Sequence, residues 1–245
     1  MGILDLPAPL FAGLDQVMGN ILPPSGRLVL WALLAAAVSM GLYWALSPQR
    51  KLNDVKHRAL KARQDLNAFD GEFEDAWPMM RSMLGLSIKQ LGMTTMPAIL
   101  ASVPALALII WLGTIYGYDL PGKTDAIEVQ TTPTTEVQAA IQTPANGSPG
   151  NPPRLVVTDP DGGLVSDISL TAAIPTIHKK QWWNMLVGNP LGYLPSEGEI
   201  EAIAFDLPER DYLGFGPDWL RPWYMLFFTV LVIGSLAIKM IGRID

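Results

Sequence analysis

The chain has 245 residues, of which 49% are hydrophobic and only 16% charged, and its formal net charge is −6. That share of charged residues is unusually low for a soluble domain. Because the chain has no cysteine, it cannot use disulfides, thiolate metal sites or cysteine nucleophiles. The sequence also has no Gly-rich phosphate loop, nucleophile elbow, Ser/His/Asp set or intramembrane carboxylate pair. We therefore expect neither an enzyme nor a bound cofactor or metal.

Three uncharged apolar segments, residues 28–46, 96–116 and 223–238, are the main feature of the chain. A hydrocarbon core about 30 Å thick needs roughly 20 apolar residues to cross it, and in lipid such a segment must be helical. The sequence therefore predicts an all-α membrane core of three transmembrane helices. The residues before the first segment include no basic n-region and no convincing small-residue cleavage site, so we expect a retained anchor and not a signal peptide.

Charge predicts the orientation of these helices. Residues 47–95 hold eight basic and six acidic residues, whereas residues 117–221 hold six basic and fourteen acidic ones. Basic residues in short loops stay in the cytoplasm, which predicts an outside N-terminus and an inside C-terminus. The Pro/Thr-rich stretch and the large outer segment further along the chain favour a bacterial inner membrane as our interpretation. The predicted order is an extracytoplasmic N-terminus (1–26), transmembrane helix 1 (27–46), a cytoplasmic helical hairpin (47–95), transmembrane helix 2 (96–118), a Pro/Thr-rich linker (119–153), an extracytoplasmic β-rich unit (154–217), transmembrane helix 3 (218–241) and a cytoplasmic tail (242–245).

The basic loop has the pattern of a coiled-coil hairpin. Apolar residues recur at alternating spacings of three and four, the spacing of a coiled-coil seam, at Leu52, Val55, Ala59, Ala62, Leu66, Phe69, Phe73 and Ala76. Asp70-Gly71 is a turn signal, and a second apolar stripe follows at Trp77, Met80, Leu84, Ile88 and Leu91. We expect two antiparallel arms, the first continuing from the first span. The alternative is one interfacial helix kinked at Pro78, whose second part lies flat on the membrane.

Methionines cluster around the second arm, at Met79, Met80, Met83, Met93 and Met96. Flexible, polarizable methionine side chains suit a surface that accepts varied apolar partners, so these residues are candidate contacts for an emerging hydrophobic segment. Ordinary packing of an amphipathic helix against lipid or the partner arm explains them at least as well.

The long acidic segment divides into two parts. Residues 119–153 are rich in Thr, Pro, Gln and Ala and predict a linker, with a short helix considered at residues 136–141. Strand-like runs at residues 155–158, 164–170 and 200–205 predict a small β-rich unit. The intervening Asp159-Pro160-Asp161-Gly162 sequence indicates a turn, because it lacks the acceptor spacing of a calcium loop.

A basic and aromatic cluster lies in the predicted β-rich unit, at Lys179, Lys180, Trp182 and Trp183. We favour membrane-interface anchoring, because Trp rings settle at headgroup level and Lys meets lipid phosphate. A protein-partner hot spot is the competing interpretation. The two histidines, His57 and His178, fall in different compartments on this topology and cannot share a metal.

The three spans and the hairpin together resemble the Oxa/YidC/Alb insertase superfamily, in particular its small three-span branch of archaeal YidC-like proteins and the insertase subunit of the endoplasmic reticulum membrane complex. The matching residues are 48–64, 93–111 and 216–242, the last beginning with Gly-Pro-Asp-Trp-Leu-Arg-Pro-Trp-Tyr. The resemblance implies an insertase or chaperone that eases polar client flanks through a thinned, groove-bearing three-helix bundle. The implied partners are the bilayer, membrane-protein clients and a ribosome or translocon, with nucleic acid met only through a ribosome.

This chain departs from the family pattern, in which a basic residue commonly lies within the groove. Its nearest bases, Arg27, Arg221 and Lys239, lie at span ends. The remaining groove candidates are weak polar residues, which more often pack helices closely; they are Ser39, Tyr43, Ser102, Thr114, Thr229 and Ser235. The alternative function is therefore a non-catalytic accessory or scaffold subunit of a larger inner-membrane complex. A transporter is not expected, because the spans have no internal repeat and no intramembrane charge.

Overall fold

The computed structural model describes residues 2–120, 128–134, 138–142, 153–158 and 161–242. Within these ranges the chain forms five α-helices: α1 (Ala8–Gly19), α2 (Pro24–Leu46), α3 (Gln49–Asn67), α4 (Phe73–Tyr116) and α5 (Trp223–Gly242). Helices α2, α4 and α5 are long and apolar enough to cross a membrane, and they contain the three uncharged apolar segments at residues 28–46, 96–116 and 223–238. Helix α1 was not predicted, because its short sequence has neither a polar N-cap nor a strong apolar stripe.

The chain divides into two compact units. The sheet unit comprises Met1–Leu28 and Ala107–Leu226, and the helical unit comprises Val29–Leu106 and Phe227–Asp245. Each of these three long apolar helices therefore contributes one end to the sheet unit and the rest of its length to the helical unit.

Small residues allow close helix packing in the helical unit. Ala32, Ala35 and Ala36 of α2 are buried. A Cβ at Gly234 of α5 would lie 3.3 Å from both the Ala36 Cβ and the Leu33 side chain. Small residues at such crossings let helix backbones approach closely in a membrane, where no hydrophobic driving force acts between helices.

The first arm of the predicted hairpin does not continue from the first span. Helix α2 ends at Leu46 and α3 begins at Gln49, with Pro48 as its N-cap at ψ 72°. Proline has no N–H to donate and disfavours helical backbone in the residue before it, so the helix stops there. The second arm, in contrast, is continuous with the second span, because α4 runs through Pro78, Pro97 and Pro104 without interruption.

The burial pattern of α3 agrees with the first five positions of the predicted apolar seam, whereas Phe69 and Phe73, further along the seam, are 37% and 69% exposed. From Lys51 to Asn67 the only positions that are not exposed are Leu52, Val55, Ala59, Ala62 and Leu66. Residues 68–72, which include Asp70-Gly71, then separate α3 from α4. The chain therefore has two helices here, and the alternative of a single helix kinked at Pro78 is wrong.

The predicted apolar stripe of the second arm is mostly on the exposed face of α4. Trp77, Leu84, Ile88 and Leu91 are 52–69% exposed. The less exposed positions of residues 73–95 are instead Ala76, Met79, Met80, Met83, Leu86, Gln90, Met93 and Thr94. Both faces of this part of α4 carry apolar residues at helical spacing, and spacing alone does not say which face turns inward.

Two three-stranded antiparallel sheets lie in the sheet unit. The first has the strand order β1 (Val129–Thr132), β6 (Ala202–Phe205), β5 (Thr176–His178), and the second has the order β2 (Gln138–Gln142), β3 (Arg154–Thr158), β4 (Leu164–Ser169). Strands β4 and β6 lie within the predicted strand-like runs, and β3 covers the predicted run at 155–158 and begins one residue before it. Strands β1 and β2 lie within the predicted linker, so the linker prediction is wrong at both places.

The short helix considered at residues 136–141 is also wrong where the structure describes it, because residues 138–142 pair with β3 as a strand. Alanine and glutamine have no strong β-preference, so pairing with the Val-rich β3 decides their conformation. Residues 135–137 lie outside the described ranges.

The core of the sheet unit is apolar and draws on both sheets. Strands β3 and β6 alternate buried and less buried residues, with Leu155 and Val157 inward on one and Ile203 and Phe205 inward on the other. One cluster of buried residues joins them, as expected for two half-buried antiparallel sheets packed face to face. Residues 159–163 connect β3 to β4; Gly162 adopts φ +84°, whereas Asp159 and Pro160 lie outside the described residues.

Candidate functional site

A buried polar cluster in the sheet unit ties α1 to the first turn of α2 and the last turn of α4. Asp15 of α1 is only 7% exposed. One carboxylate oxygen accepts a hydrogen bond from the Arg27 guanidinium at 2.5 Å, and the other accepts one from the Tyr116 hydroxyl. The Arg27 guanidinium also lies over the Tyr116 ring, 5.5 Å from its centroid. The cluster therefore balances a buried carboxylate with one cation and one neutral donor.

This cluster was not found from the sequence, which placed Arg27 only as a charged span end. A signal was available, because Asp5, Asp15 and Arg27 are the only charged residues in the first 49. An isolated acid and base in so apolar a stretch are expected to pair. The consequence for function is that Arg27 is already ion-paired and does not offer an unpaired positive charge.

Tyr212 extends the cluster to the loop before α5. Its hydroxyl donates to the Tyr116 carbonyl at 2.9 Å, and burial raises the pKa of Tyr212 above its ordinary value of 10.0. The neighbouring Arg210 donates to the Asp119 carboxylate. Burial by itself lowers the pKa of Arg210. The hydrogen bond to Asp119, together with the interactions with Tyr212, outweighs burial, so the net shift of the Arg210 pKa is upward. These contacts fix the loop to the end of α4.

The other two charged span-end candidates have different surroundings. The Arg221 guanidinium donates to the Gly216 carbonyl and pairs with the exposed carboxylates of Asp211 and Asp218. Lys239 is exposed in the last turn of α5, where a cation is favoured by the helix dipole.

The groove candidates do not form one polar group. Ser102 and Thr114 donate to carbonyls of their own helix, at Ile99 and Trp111, the usual way in which a helical hydroxyl is satisfied. Ser39 is half-buried, and its hydroxyl finds no hydrogen-bond partner among the described residues. The remaining candidates are partly or fully exposed, at Tyr43, Ser235 and Thr229. Thr114 belongs to the sheet unit, whereas the other five belong to the helical unit.

A cleft of about 460 Å³ lies between α3 and α4 in the helical unit. Its lining combines apolar, basic and amide side chains, namely Lys56, Ala59, Leu60, Arg63, Met83, Ser87 and Gln90. Of the methionine candidates, Met83 lines this cleft, and Met79, Met80 and Met93 are half-buried on the same helix. Met96 is different, because it is 61% exposed at the start of the predicted span.

The basic and aromatic cluster of the sheet unit is split by the structure. Lys179 donates through Nζ to the Gly198 carbonyl, and the Trp183 ring lies 4.8 Å from the His178 ring. Lys180 is exposed, and Trp182 is 79% exposed. Trp182 and Lys180 are therefore the members of this cluster that are best placed to meet a partner or a membrane.

Comparison of the chain with family models, with curated proteins and with solved structures finds no match. Within the described ranges, no three His, Asp or Glu side chains are grouped so that they could hold a metal ion.

Proposed function

We propose that the chain is a membrane-protein insertase or chaperone, as the resemblance of residues 48–64, 93–111 and 216–242 implies. The supporting observation is the exposed apolar stripe of α4. Trp77, Leu84, Ile88 and Leu91 are 56%, 52%, 69% and 65% exposed on the part of α4 that precedes the predicted span. Exposed apolar area on this scale is typical of a surface that a partner or lipid covers.

The unbroken course of α4 makes this stripe suitable for handling clients. Helix α4 continues from Phe73 to Tyr116, so the stripe leads directly into the exposed residues Ile99 and Val103 of the predicted span. An apolar segment that binds at Ile88 would thus have a continuous apolar path along one helix into the bilayer. The adjoining cleft adds adaptable contact through Met83 and charged contact through Lys56 and Arg63.

In this proposal α3 and α4 form the cytoplasmic hairpin, and the termini lie on opposite sides of an inner membrane with the N-terminus outside. In this proposal the three-helix bundle lowers the free-energy cost of moving a client's polar flank across the membrane. Without the bundle that cost is several kcal/mol for each unsatisfied polar group in hydrocarbon. No covalent chemistry is required.

Site-specific photocrosslinking in living cells tests the proposal. A crosslinking amino acid at Ile88 or Ile99 should capture many different membrane proteins, and the capture should stop when translation is inhibited. The same probe at Ser82, an exposed polar position on α4, is the matched control and should capture few. Crosslinks from Ile88 and Ile99 to lipid alone, or to one fixed protein, would contradict an insertase.

A second candidate is an accessory or scaffold subunit of a larger membrane complex. The ion pair of Arg27 with Asp15 favours it, because this span-end base is already paired and does not offer a free positive charge to a client. The well-packed sheet unit also gives a fixed surface for docking. Purification of the intact protein in mild detergent distinguishes the two: one partner set at constant stoichiometry supports a scaffold, and a broad set of clients with ribosomal or translocon components supports an insertase.

A further inference from the structure

The N-terminal residues 2–5 pack against one turn of the sheet unit and are hydrogen-bonded to it. The Leu4 N–H donates to the Leu186 carbonyl at 2.9 Å, and the N–H groups of Gly2 and Gly188 both donate to the Asp5 carboxylate, at 2.7 and 2.8 Å. A Cβ at Gly2 would overlap the backbone of Leu186, so only glycine fits this close approach. Residues 2–5 and the turn therefore form one surface.

Several backbone polar groups of the turn, residues 181–188, are hydrogen-bonded within the turn. The side chain of Asn184, which is only 4% exposed, accepts from the Gln181 N–H and donates to the Val187 carbonyl. The N–H groups of Leu186 and Val187 donate to the Trp183 carbonyl. Each of these hydrogen bonds lowers the free-energy cost of bringing the turn into an apolar medium.

The surface made by these two segments is strongly apolar. Its most exposed side chains are Ile3 at 60%, Leu6 at 70% and Leu10 at 63%, together with Trp182 at 79%, Met185 at 69% and Leu186 at 48%. Helix α1 continues the N-terminal part with exposed Leu14 and Val17, and Ile21 follows it. The only charged residues from position 2 to 22 are Asp5 and Asp15, and both are engaged in the hydrogen bonds described above.

Lipid is the occupant that the chain's own geometry favours. Only residues 20–23 separate α1 from α2, a helix apolar enough to cross a membrane, and the Asp15–Arg27 pair holds α1 at that point. Exposed aromatic residues also precede α5, with Phe215 at 70% and Trp219 at 64%. Apolar surface that borders membrane-crossing helices lies at the level of the headgroups and upper acyl chains, where Trp is preferred.

We propose that residues 3–21 and the turn at 182–186 form a lipid-contacting surface. Through this surface the sheet unit inserts into the leaflet that faces the compartment in which the sheet unit lies. The exposed Lys180, beside the turn, meets lipid phosphate. This role does not depend on whether the protein handles clients, because it concerns only how the sheet unit is held.

Fluorescence in vesicles of phosphatidylcholine tests the proposal, and the cysteine-free chain makes single-site labelling direct. The full-length variants Leu10→Cys and Met185→Cys would carry an environment-sensitive nitrobenzoxadiazole label. The matched controls are Gln16→Cys, an exposed polar position on α1, and Glu197→Cys, an exposed position of the sheet unit. The vesicles would be prepared with and without lipids that bear a spin label near the top of the acyl chain.

At Leu10 and Met185 we expect blue-shifted emission and strong quenching by the spin-labelled lipid, several-fold stronger than at Gln16 and Glu197. Quenching at Leu10 and Met185 that is no greater than at the two controls would overturn the proposal and favour a protein partner for this surface. Each variant is accepted only if its thermal midpoint in detergent matches that of the parent, so misfolding cannot imitate either result.

Discussion

Asp15 is the residue on which the buried polar cluster depends, because its two carboxylate oxygens serve two different partners. In Asp15→Ala the Arg27 side chain, which is 21% exposed, would lose its counter-ion. Breaking a buried ion pair by removing one partner costs about 3–5 kcal/mol. Tyr116→Phe removes only one hydrogen bond and should cost about 1 kcal/mol. Thermal unfolding in detergent, followed by tryptophan fluorescence, should show this order.

The matched control for the cluster is Asp211→Ala. It removes the Asp211 carboxylate, which is 57% exposed and lies 3.6 Å from the Arg221 guanidinium. Exposed pairs contribute about 0–1 kcal/mol, so the thermal midpoint should hardly change. Equal losses in Asp15→Ala and Asp211→Ala would mean that the buried cluster does not hold the sheet unit together.

Tyr212 should give the sheet unit a dependence on alkaline pH. Its raised pKa means that folding favours the neutral hydroxyl, which donates to the Tyr116 carbonyl. The stability from this group is fully present below the unfolded pKa of about 10 and is lost as the pH rises above it toward the folded value. The loss of stability between pH 9 and 11 should therefore be smaller in Tyr212→Phe than in the parent. An identical loss in both proteins would contradict this role.

At the scale of elements, the contact of residues 2–5 with the turn at 181–188 depends on Gly2. Gly2→Ala should dislodge residues 2–5, because its Cβ would overlap the Leu186 backbone. Hydrogen exchange should then accelerate at the Leu4 and Gly188 amides, which donate across this contact. The control is Gly13→Ala in α1, where a Cβ meets nothing within 4 Å. There the substitution should stabilise the helix by up to about 1 kcal/mol.

The crossing of α2 and α5 should be equally sensitive to side-chain size. Gly234→Leu would force a side chain against Ala36 and Leu33, and overpacking of this kind typically costs about 1–3 kcal/mol. Gly41→Leu on α2, where the added Cβ meets nothing within 4 Å, is the control. We expect a lower thermal midpoint in detergent only for the Gly234 variant; equal midpoints would show that α2 and α5 do not pack at this glycine.

The elements that were predicted correctly are those that their own residues specify. Uncharged runs of about 20 residues specified the three long apolar helices, and the seam from Leu52 to Leu66 specified the inner face of α3. The inner face of α4 was not predictable, since Trp77 and Met83 lie on different apolar faces of the helix and spacing alone does not select between them. Likewise β2 is a strand because β3 pairs with it, and the pairing of Asp15 with Tyr116 joins residues 101 positions apart.

For the whole molecule, orientation in the membrane is the prediction with the widest consequences. Ser82→Cys and Glu197→Cys are single-cysteine variants on either side, in sequence, of the predicted span at residues 96–118, so a crossing by that span alone would place them on opposite faces of the membrane. In spheroplasts a membrane-impermeant maleimide should label Glu197→Cys at once and Ser82→Cys only after permeabilisation, because basic loops stay inside. The reverse pattern would invert the topology, and labelling of both in intact spheroplasts would exclude a crossing by α4.

The prolines of α4 determine which mutations could reveal a polar pathway along this helix. Pro97 and Pro104 have no N–H, so the carbonyls of Met93 and Leu100 lose the donor that a helix normally supplies four residues later. Helix α4 thus has two main-chain hydrogen-bond acceptors without their usual helical donor, one just before the predicted span (96–118) and one within it. Alanine scanning of the serines and threonines would leave both acceptors intact. Only replacement of Pro97 and Pro104 themselves would restore the two backbone N–H donors and so pair the carbonyls of Met93 and Leu100.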